Sequence, residues 1–161
     1  MAVHSHRDSP LVRTAARAVI LRGEDLLVVR IRTEEGEFMV LPGGGQNHGE
    51  TLMQTVVREV REELGLTITV TGLAYVREYV GKNHAMHRMH GHFHQVETVF
   101  HCQCQDFSVL GTGREQDRRQ VGFLWLPLHK LPEYPLSPPG LREIIKNSKE
   151  SGVVVYLGDV H

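Results

Sequence analysis

Three carboxylates, Glu59, Glu62 and Glu63, stand within one short stretch near the middle of the chain. At 100° per residue a helix would gather them into about a third of its circumference, one turn apart. Like charges so placed cost an isolated helix about 0.2–0.5 kcal/mol per pair. The wheel turns the neighbouring Arg58 and Arg61 elsewhere, so they are expected to offset only part of that repulsion. Clustered carboxylates suit a hard divalent cation, because Mg²⁺ takes oxygen ligands and bridges to phosphate oxygens. A solvated acidic face is the plainer fate of such a stretch, and the surroundings must decide between the two.

The element that would carry these residues is Thr51 to Leu64 (TLMQTVVREVREEL), the strongest helical pattern in the sequence. Thr51 and Gln54 form a capping box, and Gly65 occupies the left-handed stop. Leu52, Val56, Val60 and Leu64, with Met53 and Val57 beside them, give an apolar face for a core. Upstream, Pro42 and Gly43-Gly44-Gly45 are expected to hold no regular structure and to let the backbone approach a ligand closely. Ala15 to Arg30 reads as two strands hinged at Gly23-Glu24-Asp25, and Met39 to Leu41 as a short strand. Further strands are expected at 66–70, 73–80, 94–104 and 121–128, a prolyl connector at 132–139, a helix at 141–149 and a last strand at 153–157. Strands with one central and one late helix make an α/β domain with a mixed sheet. The expected organisation is a loose arm at 1–12 and a single domain over 13–161.

The 161 residues carry 18 Lys plus Arg against 19 Asp plus Glu, a net charge of −1, which excludes a general nucleic-acid binder. Residues 1–11 lack the apolar run of a secretory signal, and no stretch could span a membrane. Cys102 and Cys104 would face one side of a strand as reduced thiols, consistent with a cytoplasmic protein.

Counting from Gly44, Glu50, Arg58-Glu59, Glu62-Glu63 and Gly65-Leu66 fall at the intervals G-x5-E-x7-R-E-U-x-E-E-x-G-U, with U aliphatic. Residues 44–66 thus resemble the Nudix box at every defined position. The resemblance implies an α/β/α sandwich with a loop–helix–loop motif, and a hydrolase that cleaves the pyrophosphate link of a nucleoside diphosphate joined to another group. It implies Glu59 and Glu63 as metal ligands, Glu62 as the next, and a backbone carbonyl from Gly43 or Gly44 as an additional one. The cofactor would be Mg²⁺, with Mn²⁺ as a substitute. Glu50 and Arg58 would brace the loop against the helix, placing Arg58 in the catalytic assembly, while Gly44 and Gly65 serve the turn and the helix stop. Diphosphate and helix are both negative, so cations must lie between them, and water is expected to attack directly.

A general base is expected outside the box as well as in it. Glu97, on a strand beside apolar residues, leads; Glu78 follows, then Glu115 or Asp117; within the box Glu62 is the candidate. Tyr75, Tyr79 and Phe93 could stack a base, and a histidine such as His94 could contact phosphate; Tyr79 and His94 are the leading substrate contacts. His84, His87, His90, His92, His94 and His101 crowd one segment, but their spacing matches no closed zinc pattern. Substrate markers give no assignment: the ADP-ribose proline is replaced by Gly81, the dinucleoside-polyphosphate tyrosine by Asn83, and S-Q-P-W-P is absent. The expected partner is a small nucleotide, with a homodimer left open. Two rivals stand beside the hydrolase: a non-catalytic nucleotide sensor on the same fold, and a transition-metal binder built on the histidine segment. The intact glutamate set speaks against the sensor.

Overall fold

A hairpin turned by Glu24 and by Gly23 in the left-handed region, φ +60°, opens the computed structural model, which describes residues 11–84, 91–111, 113–114 and 118–160. Its strands are β1, Arg13–Arg22, and β2, Asp25–Thr33. The two pair only at the turn, Leu21 with Leu26 and Arg22 with Asp25, and then separate. β2 continues against β3, Gly36–Val40, while the freed half of β1 pairs with β4, Gly43–Gly45. The triple glycine is therefore a short antiparallel strand, contrary to expectation. Glycine disfavours extended structure by propensity, but β1 offers a vacant edge, and Gly43 can lie against Ala16 only because it lacks a Cβ.

Helix α1, Leu52–Leu64, follows with both halves of its capping box formed and Gly65 at φ +76°. Val56, Val60 and Leu64 are buried as the periodicity requires, whereas Met53 stays half exposed. β5, Thr69–Val80, runs through the break expected between the strands at 66–70 and 73–80, absorbing two irregularities against β6, His94–Gln103. β7, Gln120–Pro127, pairs with β2. The prolyl connector forms a 3-10 turn, Leu128–Glu133, and the two-residue β8, Leu136–Ser137. α2, Leu141–Ser151, and β9, Val155–Asp159, complete the fold. The sheet order is β8-β3-β2-β1-β6-β5-β9, with β4 on β1 and β7 on β2. β6 runs parallel to β1 and antiparallel to β5.

Two apolar layers cover the sheet. Ala16, Ala18 and Ile20 of β1 pack with Val56, Val60 and Leu64 of α1. Val19, Tyr75 and Val99 pack on the other face with Leu141 and Ile145 of α2. The alternation of β1 thus divides the molecule into α/β/α layers. No described helix is long and apolar enough to cross a membrane. Of the expected N-terminal arm, residues 1–10 lie outside the described region.

Candidate active site

β4 brings its glycines against the acidic face of α1. The Gly43 N–H donates to Glu63 Oε2 at 2.9 Å. A Cβ on Gly44 would lie 2.6 Å from the Glu59 carboxylate, so only glycine lets that side chain rest against the strand. Arg58 was expected to point away from the glutamates and does not. Its Nη1 donates to Glu59 Oε1 and Glu62 Oε2, both at 2.9 Å. Its Nε and Nη2 grip Glu50 at 2.6 and 3.0 Å, and Nη2 also reaches the Gly45 carbonyl at 3.0 Å. Glu62 is its i+4 neighbour, about 40° away on the wheel and so on the same face, and the long forked side chain reaches the others. Arg58 is accordingly a clamp between loop and helix, engaged through all three of its nitrogens.

Glu50 is fixed from several sides. Arg58 first, with the Asn47 N–H and the Thr55 hydroxyl assisting, outweighs desolvation and holds its carboxyl at about 2. The same glutamates, Glu50 foremost, raise the pKa of Arg58. The Arg58 guanidinium faces three carboxylates, Glu50, Glu59 and Glu62, so carboxylates outnumber it. Among the described residues no three His, Cys, Asp or Glu side chains converge as a ready cage, the counter-charge being Arg58. The donor set nevertheless fits a hard divalent cation: oxygen atoms only, excess negative charge, and at Gly44 a space that any Cβ would fill.

Glu97 sits on β6 in the other layer, 4% exposed. Arg17 Nε donates to its Oε1 at 2.9 Å, Arg77 Nε donates to its Oε2, and Gln95 Nε2 reaches Oε1 at 3.2 Å. Burial alone would raise the Glu97 pKa, but Arg17 and Arg77 pull it below the ordinary carboxylate range. Tyr75 lies beside this group, its buried hydroxyl without a hydrogen-bond partner, and burial raises its pKa. Sequence reasoning nominated Glu97 but missed Arg17, Arg77 and Gln95. A signal was present: a charged residue inside an apolar strand run, as in AARAVIL and AYVREYV, needs a buried partner.

The structure does not bring Tyr79 and His94 together. Tyr79 pairs in register with Gln95, so it shares the face of Glu97, while His94 points to the opposite face. Tyr79 stacks on His84 with centroids 4.9 Å apart and meets Phe93 at 5.9 Å, and Arg13 lies over the Phe93 ring. His94 Nε2 is 2.7 Å from Glu78 Oε2, and the Tyr156 hydroxyl donates to Glu78 Oε1. Those partners, Tyr156 first, lower the pKa of Glu78 and tie it to the C-terminal edge. Three histidines of the segment go to separate partners: His84 to Asp159, His94 to Glu78, His101 to Ser148. His87, His90, Glu115 and Asp117 lie outside the described residues. Cys102 and Cys104 are free thiols against the same apolar layer, with burial pushing Cys102 up to about 12.

A curled mixed sheet between two helices, with a glycine strand laid on a glutamate-bearing helix, defines a fold class that comparison with known proteins makes definite. Residues 12–147 match the NUDIX domain, and the chain belongs to that family. A NUDIX hydrolase from Nitrosomonas europaea superposes with a TM-score of 0.69 at 19% identity, covering 88% of this chain and 90% of its own. A MutT NUDIX hydrolase from Burkholderia pseudomallei gives 0.62 at 24% identity, over 84% and 97% of the two chains. An ADP-ribose pyrophosphatase from Streptococcus suis gives 0.61 at 20% identity, over 92% and 99%. No curated protein matches the chain.

Proposed function

We propose that this Nudix protein is a Mg²⁺-dependent pyrophosphohydrolase that splits the phosphoanhydride of a nucleoside diphosphate linked to another group, with water as the direct nucleophile. The observation that carries this reading is the contact of β4 with α1, which sets Glu59 against Gly44 and ties Glu63 to the Gly43 N–H. Glu59 and Glu63, then Glu62, would hold the cation, Mn²⁺ serving as a substitute. The Gly43 carbonyl is a weaker candidate ligand than expected, since Arg17 Nη1 already donates to it at 2.9 Å. When bound, the ion supplies Lewis-acid polarisation of the phosphate and a more acidic water.

The protein's own groups do the positioning. Arg58 holds Glu59 and Glu62 at fixed separation while Glu50 anchors it to the loop. Glu62 would be the box carboxylate that accepts a proton from water, a reading its 31% side-chain exposure supports. Glu97 is enclosed by two guanidiniums, which suits orientation better than proton transfer. Tyr79 and Phe93 supply an aromatic wall for a nucleobase, on the face that also carries Arg17 and Arg77. His94, turned to the other face, is set aside as a substrate contact.

The test is hydrolysis of a nucleotide panel with Mg²⁺, identifying both products, in wild type and in Glu59→Gln and Glu63→Gln. Each substitution should lower turnover about a hundredfold or more, as for loss of several kcal/mol of transition-state stabilisation, with the fold intact. Near-wild-type rates would overturn the ligand assignment. Tight nucleotide binding by a wild type that hydrolyses nothing would favour the sensor instead.

A further inference from the structure

Glu97 and Glu63 belong to opposite layers, and one side chain connects them. Arg17 leaves β1 on the Glu97 side, donates from Nε to Glu97 Oε1, and from Nη1 to the carbonyls of Leu41 and Gly43 at 3.1 and 2.9 Å. The N–H of that same Gly43 donates to Glu63 Oε2. The line of contacts therefore runs Arg77, Glu97, Arg17, Gly43, Glu63, from a strand on one side of the sheet to the helix on the other. Gly43 has no slack in it. At φ +136°, and with a Cβ there falling 2.2 Å from the Ala16 carbonyl and 2.8 Å from the Arg17 Cα, the position admits only glycine.

Stability does not account for this arrangement. A buried ion cluster often contributes no more than well-packed apolar residues of the same volume, because desolvating the charges offsets their attraction. Such a cluster does fix geometry, since two guanidinium forks leave a carboxylate few orientations. Desolvation lowers the Arg17 pKa, yet Glu97 first, then Glu63 and Glu59, carry it above its ordinary value, so the helix carboxylates lie within electrostatic reach.

We propose that Arg17, held by Glu97 and Arg77, is a positioning residue that sets the Gly43 peptide and through it the Glu63 carboxylate. This rests on the reading that Glu63 faces the metal. Neither Arg17 nor Glu97 touches the reacting atoms in this assignment. Glu97 thereby gains a role distinct from general base: removing its charge should disturb Glu63 from the far layer.

The experiment uses the full chain as Arg17→Gln, Glu97→Gln and Arg17→Lys. Two readouts need no nucleotide: the Gly43 amide by NMR shift and hydrogen exchange in metal-free protein, and the affinity for Mn²⁺ alone by electron paramagnetic resonance. A shifted Gly43 amide with faster exchange, and an affinity for Mn²⁺ about tenfold weaker, is the expected result for the two glutamine variants, the size found when groups behind metal ligands are removed. Arg17→Lys, which keeps the charge without the fork, should fall between them and wild type. In turnover, kcat should drop while KM stays. A Gly43 amide and a Mn²⁺ affinity unchanged in the folded glutamine variants would overturn the proposal, as would a raised KM at unaltered kcat, which would make Arg17 a substrate contact. Should the glutamine variants fail to fold, the apolar replacement Arg17→Met, Glu97→Leu, Arg77→Met leaves no charge unpaired and is read in the same two ways. The amide readout is independent of metal and nucleotide, so it can fail while hydrolysis stands, and hydrolysis can fail while the amide responds.

Discussion

Two charged networks flank the glycine strand, and they are built on opposite plans. Around Arg58 one cation serves several carboxylates, and the side chains keep contact with water, Arg58 at 25% exposure and Glu62 at 31%. Around Glu97 one anion serves two cations, with Glu97 at 6% and Arg77 at 8%. The first is short of positive charge and open, so a mobile cation can join it. The second has more guanidinium than carboxylate and is buried at Glu97 and Arg77, with Arg17 at 20% exposure, so its charges answer mainly to each other. The difference teaches where charge is left unmatched: the open network has carboxylates to spare, and the closed one has none.

The comparison can be broken most sharply at Glu97. Glu97→Ala would leave Arg17 and Arg77 facing each other in a low-dielectric layer, and a loss of about 3–5 kcal/mol of folding stability is expected in denaturant titration. A loss near zero would show that water reaches the cluster. Arg58→Ala should cost less, about 1–3 kcal/mol, because the glutamates it abandons can be rehydrated. The same variant should lose turnover out of proportion to stability.

Acidification comes next, since it weakens the Glu50 side of the Arg58 contact. The folded pKa of Glu50, about 2, lies below the ordinary value of about 4.3. Its contribution is therefore present above about pH 4.3 and lost as pH falls through 2. Glu50→Gln should flatten the stability profile in that window, and an unchanged slope would remove the coupling. The smallest effect belongs to the helix that carries the open network: Thr51→Ala removes half of the capping box and should lower stability by about 1 kcal/mol, with turnover nearly unchanged.

The local features of the site were legible in the sequence. Thr51, Gln54 and Gly65 mark the ends of α1 because capping is a short-range matter of backbone donors and acceptors. Alternation in β1 separates the two layers, and the spacing from Gly44 to Leu66 carries the family. What escaped was long in reach or long in range. Arg58 was misdirected although the wheel sets it about 40° from Glu62, four residues on; only its further reach, to Glu50 and the Gly45 carbonyl, is a matter of side-chain length. β4 was missed because glycine propensity argues against strands, while the edge that recruits it exists only after β1 and β2 part. The cationic partners of Glu97 lie 80 and 20 residues away, so no local pattern pairs them with it.

The last strand carries a consequence of its own. The Val160 carbonyl accepts from Arg77 Nη1, and Asp159 gathers the Val80 N–H, Asn83 and His84. A protease cutting after Gly152 would strip these acceptors and bare the flank of β5, whose unpaired amides would then be free to recruit neighbouring molecules. Trimmed material should precipitate before its chemistry is lost, making the tail a guard of solubility as much as a buttress.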